Sequence, residues 1–288
     1  MTPNVYCNGA IVPAAEASVG LYDGGWLHGA ALFETMRAHA GRVFRVESHL
    51  DRLRRSAATI LRPIERAELP SRVDFLELLD RNGLQDARVR LTVSAGSMLE
   101  EAEAERAKLT VCATAAPLSP LPEHLYHKGV QVAVCNYRQS PSDPIAGHKT
   151  TSYLPRLLGL REARRWHCLE AIWFTTENRL AEGSISNVFL VRQGALLTPG
   201  LDTPVLPGIA RGVVLELAER ASIPAREEAL TIDDLLDAEE VFLTNVIMQV
   251  LPVVRVERKD IGDGQPGPVT RRLLTLYRDL VQKECVAE

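Results

Sequence analysis

Apolar residues recur along this chain in two rhythms. The run Arg88-Val89-Arg90-Leu91-Thr92-Val93-Ser94 alternates strictly, which puts Val89, Leu91 and Val93 on one side of a strand and Arg88, Arg90, Thr92 and Ser94 on the other. One face packs a core and the other is offered to a cleft. Residues 48–61 instead place Leu50, Leu53, Ala57 and Leu61 at helical spacing behind Ser48 as a cap, so that His49 and Arg52, three apart, share a face. Further strands are expected over 42–46, 108–114, 129–137, 171–175, 186–191, 196–198 and 240–244. Two more helices interrupt that series. Ser152 caps the first, with Pro155 tolerated in its opening turn, and the second runs over 209–220 behind Pro207-Gly208.

Between the two halves, residues 115–122 carry Pro117, Pro120 and Pro122, a spacing that resists helix and ladder alike. The predicted organisation is an α+β domain over 1–115, a linker over 116–122 and a strand-rich α+β domain over 123–288. A length of 288 residues and a hydrophobic fraction of 46% suit two cores. A net charge of −4, without a basic block, speaks against nucleic acid as a partner. With no apolar run of membrane-spanning length and no leader-like start, the expectation is a cytoplasmic chain without a membrane partner. Cys7, Cys112, Cys135, Cys168 and Cys285 are scattered and odd in number, the pattern of reduced structural thiols. His124 and His127 lack further ligands nearby, so no metal is expected.

Candidate chemistry begins at Lys149, in Gly147-His148-Lys149-Thr150-Thr151-Ser152-Tyr153, with Glu182-Gly183-Ser184-Ile185-Ser186-Asn187 further on. A buried lysine gives up its proton and forms Schiff bases. A carboxylate in a dry site holds a proton on a pyridine-type nitrogen. The helix start Gly208-Ile209-Ala210 presents unpaired N–H groups to a phosphate, and Arg52 brings a planar fork that binds one bidentately. Each has an ordinary counterpart: a surface lysine, a turn carboxylate, a hydrated helix end, a surface ion pair.

The order and wording of these blocks carry more than any one of them. Tyr22-Asp23-Gly24-Gly25-Trp26-Leu27-His28-Gly29-Ala30-Ala31-Leu32-Phe33-Glu34-Thr35 comes first, then His49-Leu50-Asp51-Arg52-Leu53, Lys149 and Glu182 to Phe189. Thr198-Pro199 through Leu206-Pro207-Gly208-Ile209-Ala210-Arg211 and Thr244-Asn245 through Leu251-Pro252-Val253 complete the set. From about Tyr6 to about Tyr277 the chain resembles the class IV aminotransferases. These are pyridoxal 5′-phosphate (PLP) enzymes of fold type IV that include branched-chain and D-amino acid aminotransferases and 4-amino-4-deoxychorismate lyases. The resemblance implies a smaller, sandwich-like N-terminal domain, a larger pseudo-barrel C-terminal domain and a homodimer. It makes Lys149 the Schiff-base lysine and proton shuttle, Glu182 the partner of the pyridine nitrogen and Arg52 a phosphate ligand. Leu206 would lie against the ring, Gly208, Ile209 and Ala210 would line the phosphate site, and Asn245, Val246 and Ile247 would form a second cofactor loop. Phe33, Thr35, Arg90 and Tyr153 are the candidate substrate residues.

Ala210 and Val246 stand where many relatives carry hydroxyl residues, and Gly29-Ala30-Ala31 replaces a Gly-Asp-Gly. Thr35, Asn245 and residues 87–96 look more like the lyases, whereas Ala95 and the Lys149–Tyr153 segment look more like aminotransferases. The expected activity is transfer of an amino group from a small amino acid to a 2-oxo acid. Release of 4-aminobenzoate and pyruvate from aminodeoxychorismate is the alternative, and a noncatalytic PLP-binding relative is a third.

Overall fold

The structure is a computed structural model and describes residues 2–99 and 108–286. The chain divides into two compact units, one drawn from Met1–Ser119, His148–Ser152 and Val281–Glu288, the other from Pro120–Gly147 and Tyr153–Leu280. Lys149 therefore belongs to the first unit, although it follows the proline-rich segment in sequence.

The first unit contains β1 (Asn4–Cys7), β2 (Ala10–Pro13), α1 (Gly24–His28), β3 (Ala31–His39), β4 (Arg42–Val43), α2 (Val46–Ile60), α3 (Arg72–Arg81), β5 (Ala87–Ser94) and β6 (Thr110–Pro117). Its six strands form one sheet in the order β2-β1-β6-β5-β3-β4. The alternation read over 88–94 is realised, since Val89, Leu91 and Val93 are wholly buried while Arg88 and Arg90 are exposed. Those residues pack with Leu32, Met36, Leu50, Leu53, Leu78 and Leu79 into a single apolar core. The strand expected over 42–46 is shorter, because Arg45 adopts a left-handed backbone (φ 53°) that turns the chain into α2. Arg45, not Ser48, is consequently the N-cap, and it supplies no side-chain acceptor. The segment around Lys149 is laid along β3: Phe33 N–H donates to Lys149 O at 2.9 Å, and Leu32 and Thr150 form an isolated antiparallel bridge. β6 runs on to Pro117, which pairs with Ala87 at the strand end, where a missing donor costs no ladder bond.

The second unit contains α4 (Glu123–Lys128), β7 (Val130–Gln139), α5 (Leu154–Arg165), β8 (Glu170–Thr175), β9 (Leu180–Gly183), β10 (Asn187–Arg192), β11 (Ala195–Pro199), α6 (Ile209–Arg220), β12 (Ala225–Glu228), α7 (Ile232–Leu236), β13 (Glu240–Asn245), β14 (Gln249–Val256), β15 (Lys259–Asp260) and most of α8 (Pro268–Val286). Its sheet has the order β12-β11-β10-β13-β14-β7-β8-β9, with β15 paired to β14. The predicted strands of this half and the helix over 209–220 match to within two residues. Strands β8, β10 and β13 are buried almost end to end, so they read as apolar runs rather than as alternating ones. α5 starts at Leu154 with Tyr153 as its N-cap and no side-chain cap, so Ser152 does not take the capping role expected of it.

Candidate active site

In the first unit a carboxylate sits where the sheet pattern calls for an apolar side chain. Glu34 lies on the core face of β3, opposite Leu91, and is 1% exposed. α2 answers it with His49 and Arg52, the pair expected on one helix face, themselves 0% and 4% exposed. Arg52 Nε donates to Glu34 Oε1 at 2.8 Å and Arg52 Nη2 to Oε2, while His49 Nδ1 meets Oε2 at 2.7 Å. Burial by itself disfavours the charged carboxylate, but the Arg52 charge and the His49 contacts outweigh it and hold Glu34 down to about 2. Burial also pushes the His49 pKa down, helped by the charges of Arg52 and Lys149. A neutral His49 then donates through Nδ1, and its buried Nε2 has no hydrogen-bond partner.

On the opposite face of β3 and β5, two cations converge on one ring. Lys149 Nζ lies 4.5 Å from the centre of Phe33, and the Arg90 guanidinium lies 3.8 Å from it. Thr35 pairs directly with Arg90 across the strands, so Phe33, Thr35, Arg90 and Lys149 form one group within this unit. His148 Nδ1 to Ser56 Oγ at 3.0 Å and Thr151 Oγ1 to Gly29 O at 2.9 Å pin the segment on either side of Lys149.

In the second unit Glu182 is 6% exposed at the end of β9. Its Oε2 accepts from Leu206 N–H at 2.9 Å and from Asn187 Nδ2 at 3.3 Å, and its Oε1 accepts from Arg156 Nη2 at 2.7 Å. The turn that follows is fixed from beneath by Glu170. This wholly buried carboxylate accepts from the N–H groups of Ala171, Ser184 and Ile185 and from Ser186 Oγ. Burial raises its pKa against the pull of those bonds. Gly183 is required there, because a Cβ would run into Ser186 Oγ. Tyr153 donates its hydroxyl to Ser184 O at 3.0 Å, which places it on the same turn.

Gly208 caps α6 without a side-chain acceptor, so the N–H groups of its first turn are not consumed by a cap. A Cβ at Gly208 would overlap Asn187 Oδ1. Ala210 is buried and Ile209 half-buried. In the turn after β13, Asn245 Oδ1 accepts from the N–H groups of Ile247 and Met248 at 2.9 and 2.8 Å, and Asn245 Nδ2 donates to Ile185 O. Those groups build the loop itself. Val246 is buried, and the neighbouring Thr244 Oγ1 is buried without a partner.

Sequence reasoning missed Glu34 as the partner of Arg52, and Arg156, Asn187 and Glu170 as the supports of Glu182. The one available signal was an acidic residue at a core-facing position of an alternating strand, since Leu32, Met36 and Ala38 share the face of Glu34. Among the described residues no cluster of His, Cys, Asp and Glu is gathered as for a metal ion, and no helix is long and apolar enough to cross a membrane.

The family model for amino-transferase class IV matches residues 31–256. A protein of Methanocaldococcus jannaschii assigned as a branched-chain-amino-acid aminotransferase is 33% identical over 283 residues, covering 97% of this chain and 96% of that one. The aminodeoxychorismate lyase of Bacillus subtilis is 30% identical over 281 residues, with 95% and 93% covered. Among solved structures, the branched-chain aminotransferase of the thermophilic archaeon Thermoproteus uzoniensis with norvaline superposes with a TM-score of 0.87 at 28% identity, covering 99% of this chain and 97% of that one. A match over most of the chain, together with this α+β architecture, establishes that the protein belongs to the class IV aminotransferases, PLP-dependent enzymes of fold type IV.

Proposed function

We propose that this enzyme is an aminotransferase that moves an amino group from a small amino acid to a 2-oxo acid, with Lys149 as its reactive amine. The observation that carries the reading is the gathering of Lys149 and Arg90 on Phe33 in the first unit. An amine able to attack a carbonyl stands beside a guanidinium able to receive a carboxylate. Both 2-amino and 2-oxo acids present those two groups.

The residues suit PLP by their donor chemistry. In the second unit the buried hydroxyl Thr244 Oγ1 has no partner. The uncapped start of α6 adds N–H donors suited to a phosphate. When bound, PLP supplies an aldehyde that condenses with amines and a ring that accepts the electron pair left by a departing α-proton. Lys149 would hold and return a proton at Nζ, Glu182 would accept a hydrogen bond from a ring nitrogen, and Arg52 and the α6 N–H groups are each suited to a phosphate. Leu206 orients through its backbone, donating its N–H to Glu182 and accepting from Asn187. Asn245 and Ile247 act by shaping the loop that carries Val246. Thr35, across the strands from Arg90, and Tyr153, on the turn after Glu182, are each assigned to the substrate.

We further propose a cytoplasmic homodimer. Leu21 and Trp26 are 74% and 72% exposed, an apolar surface that suits a second copy. Light scattering tests this, with a mass of one chain as the contrary result.

The activity test incubates the pure protein with L- and D-amino acids and 2-oxoglutarate or pyruvate, and separately with aminodeoxychorismate. Keto acid from simple amino acids is expected. The lyase remains the second reading because of the 30% identity with the Bacillus subtilis enzyme. Release of 4-aminobenzoate without any half-reaction on simple amino acids overturns the ranking.

A further inference from the structure

Arg156 belongs to none of the blocks that identify the family, yet its guanidinium is held by three hydrogen bonds and an aromatic face. Nη2 donates to Glu182 Oε1 at 2.7 Å and to Gln139 Oε1 at 3.1 Å, and Nη1 reaches Gly183 O at 3.3 Å. The guanidinium lies 4.6 Å from the centre of the Trp173 ring, and Trp173 is itself fixed by an indole N–H donated to Ser184 Oγ at 2.8 Å. Gln139 is held in turn by Pro204 O. The side chain is 18% exposed and its carboxylate partner 7% exposed, so solvent screens this pair far less than a surface one.

A planar fork held on an aromatic face loses little entropy when it binds a carboxylate, and it fixes the direction of that carboxylate. It also places a permanent positive charge against the Glu182 carboxylate. Leu206 N–H and Asn187 Nδ2 occupy Oε2, so Arg156 is the charged contact on Oε1. The other carboxylate of this turn, Glu170, is directed to Ala171, Ser184, Ile185 and Ser186.

We propose that Arg156 is a positioning residue that orients Glu182 and, through it, sets how strongly a proton is held on the cofactor's ring nitrogen. The inference rests on the assignment of Glu182 to that nitrogen. Its test compares wild type, Arg156→Met, Arg156→Lys, Glu182→Gln and the Arg156→Met/Glu182→Gln double variant, each loaded with PLP. Two quantities are read: the pH midpoint of the bound chromophore's visible absorbance and the rate of PLP loss on dialysis. Removing the cation is expected to raise the midpoint by about one pH unit, a tenfold change in a proton equilibrium. Arg156→Lys, which keeps the charge, is expected to return most of the way to wild type. In the Glu182→Gln background Arg156→Met is expected to add nothing, because the link has already been cut. An unchanged midpoint in Arg156→Met overturns the inference, and so does an equal shift in both backgrounds, which would mark a direct field effect. If Glu182→Gln alone changes neither the midpoint nor PLP retention, the assignment of Glu182 has failed, and the inference fails with it.

Discussion

Each unit holds a buried carboxylate beside an arginine, and the two pairs are built for different ends. Glu34 is surrounded by Arg52 and His49 on the core face of a sheet, so both of its oxygens are spent on side chains of one helix. Glu182 is held at a strand end by one guanidinium, one carboxamide and one backbone N–H. The first arrangement balances charge inside a core, where an unpaired ion is costly, and in doing so fixes the direction of Arg52, the proposed phosphate ligand. The second fixes the direction of a carboxylate while leaving it acceptor capacity, which a reacting group needs. An arginine–glutamate pair therefore says little about role until its remaining lone pairs and its burial are known.

The hardest way to break the contrast is to remove the reactive amine. Lys149→Ala is expected to lower turnover by at least ~10³-fold and to abolish the visible chromophore, while circular dichroism stays that of the folded protein. Turnover and chromophore surviving together would dismantle the proposed role.

Glu34→Gln tests the structural pair. It leaves Arg52 charged and buried, so about 3–5 kcal/mol of stability should disappear in urea denaturation. A loss below ~1 kcal/mol would mean that the pair is not what it is taken for. The same pair predicts an acid profile. Because the folded state holds Glu34 near 2, against an ordinary 4.5, the stability it gives is present above pH 4.5 and is lost as the pH falls towards about 2. His49, depressed by burial, starts the decline earlier, below its ordinary 6.5, since the unfolded chain takes up that proton first. In Glu34→Gln the urea midpoint should lack the component between pH 4.5 and 2.

Glu182→Gln sharpens the other side of the comparison. Turnover is expected to fall about 10²-fold with a smaller loss of stability than in the Glu34 variant, because Arg156 keeps Gln139 Oε1, Gly183 O and the Trp173 face. Equal losses of stability in both variants would erase the distinction. The smallest effect belongs to Val246→Thr, which adds a hydroxyl to the turn after β13. One added hydrogen bond is worth about 0.5–1.5 kcal/mol, so PLP should dialyse away roughly threefold to tenfold more slowly. Unaltered retention would remove this loop from the phosphate site.

The sequence by itself determined much of the framework. Period-two alternation over 88–94 put Val89, Leu91 and Val93 inside, and helical spacing put His49 and Arg52 on one face, because these periods follow from backbone geometry alone. The order and wording of the blocks from Tyr22 to Val253 were enough to indicate the family. What only the tertiary structure decided was partnership. Glu34 and Arg52 are joined by a strand and a helix packing face to face, and Arg156 and Glu182 by a helix N-terminus reaching a strand end. Local pattern cannot encode such pairs, since each depends on chain segments 18 and 26 residues apart being brought together by the core. The same holds for Lys149. Its segment lies beyond the proline-rich stretch in sequence, but backbone hydrogen bonds to β3 fasten it to the first unit, and only folded coordinates reveal that attachment.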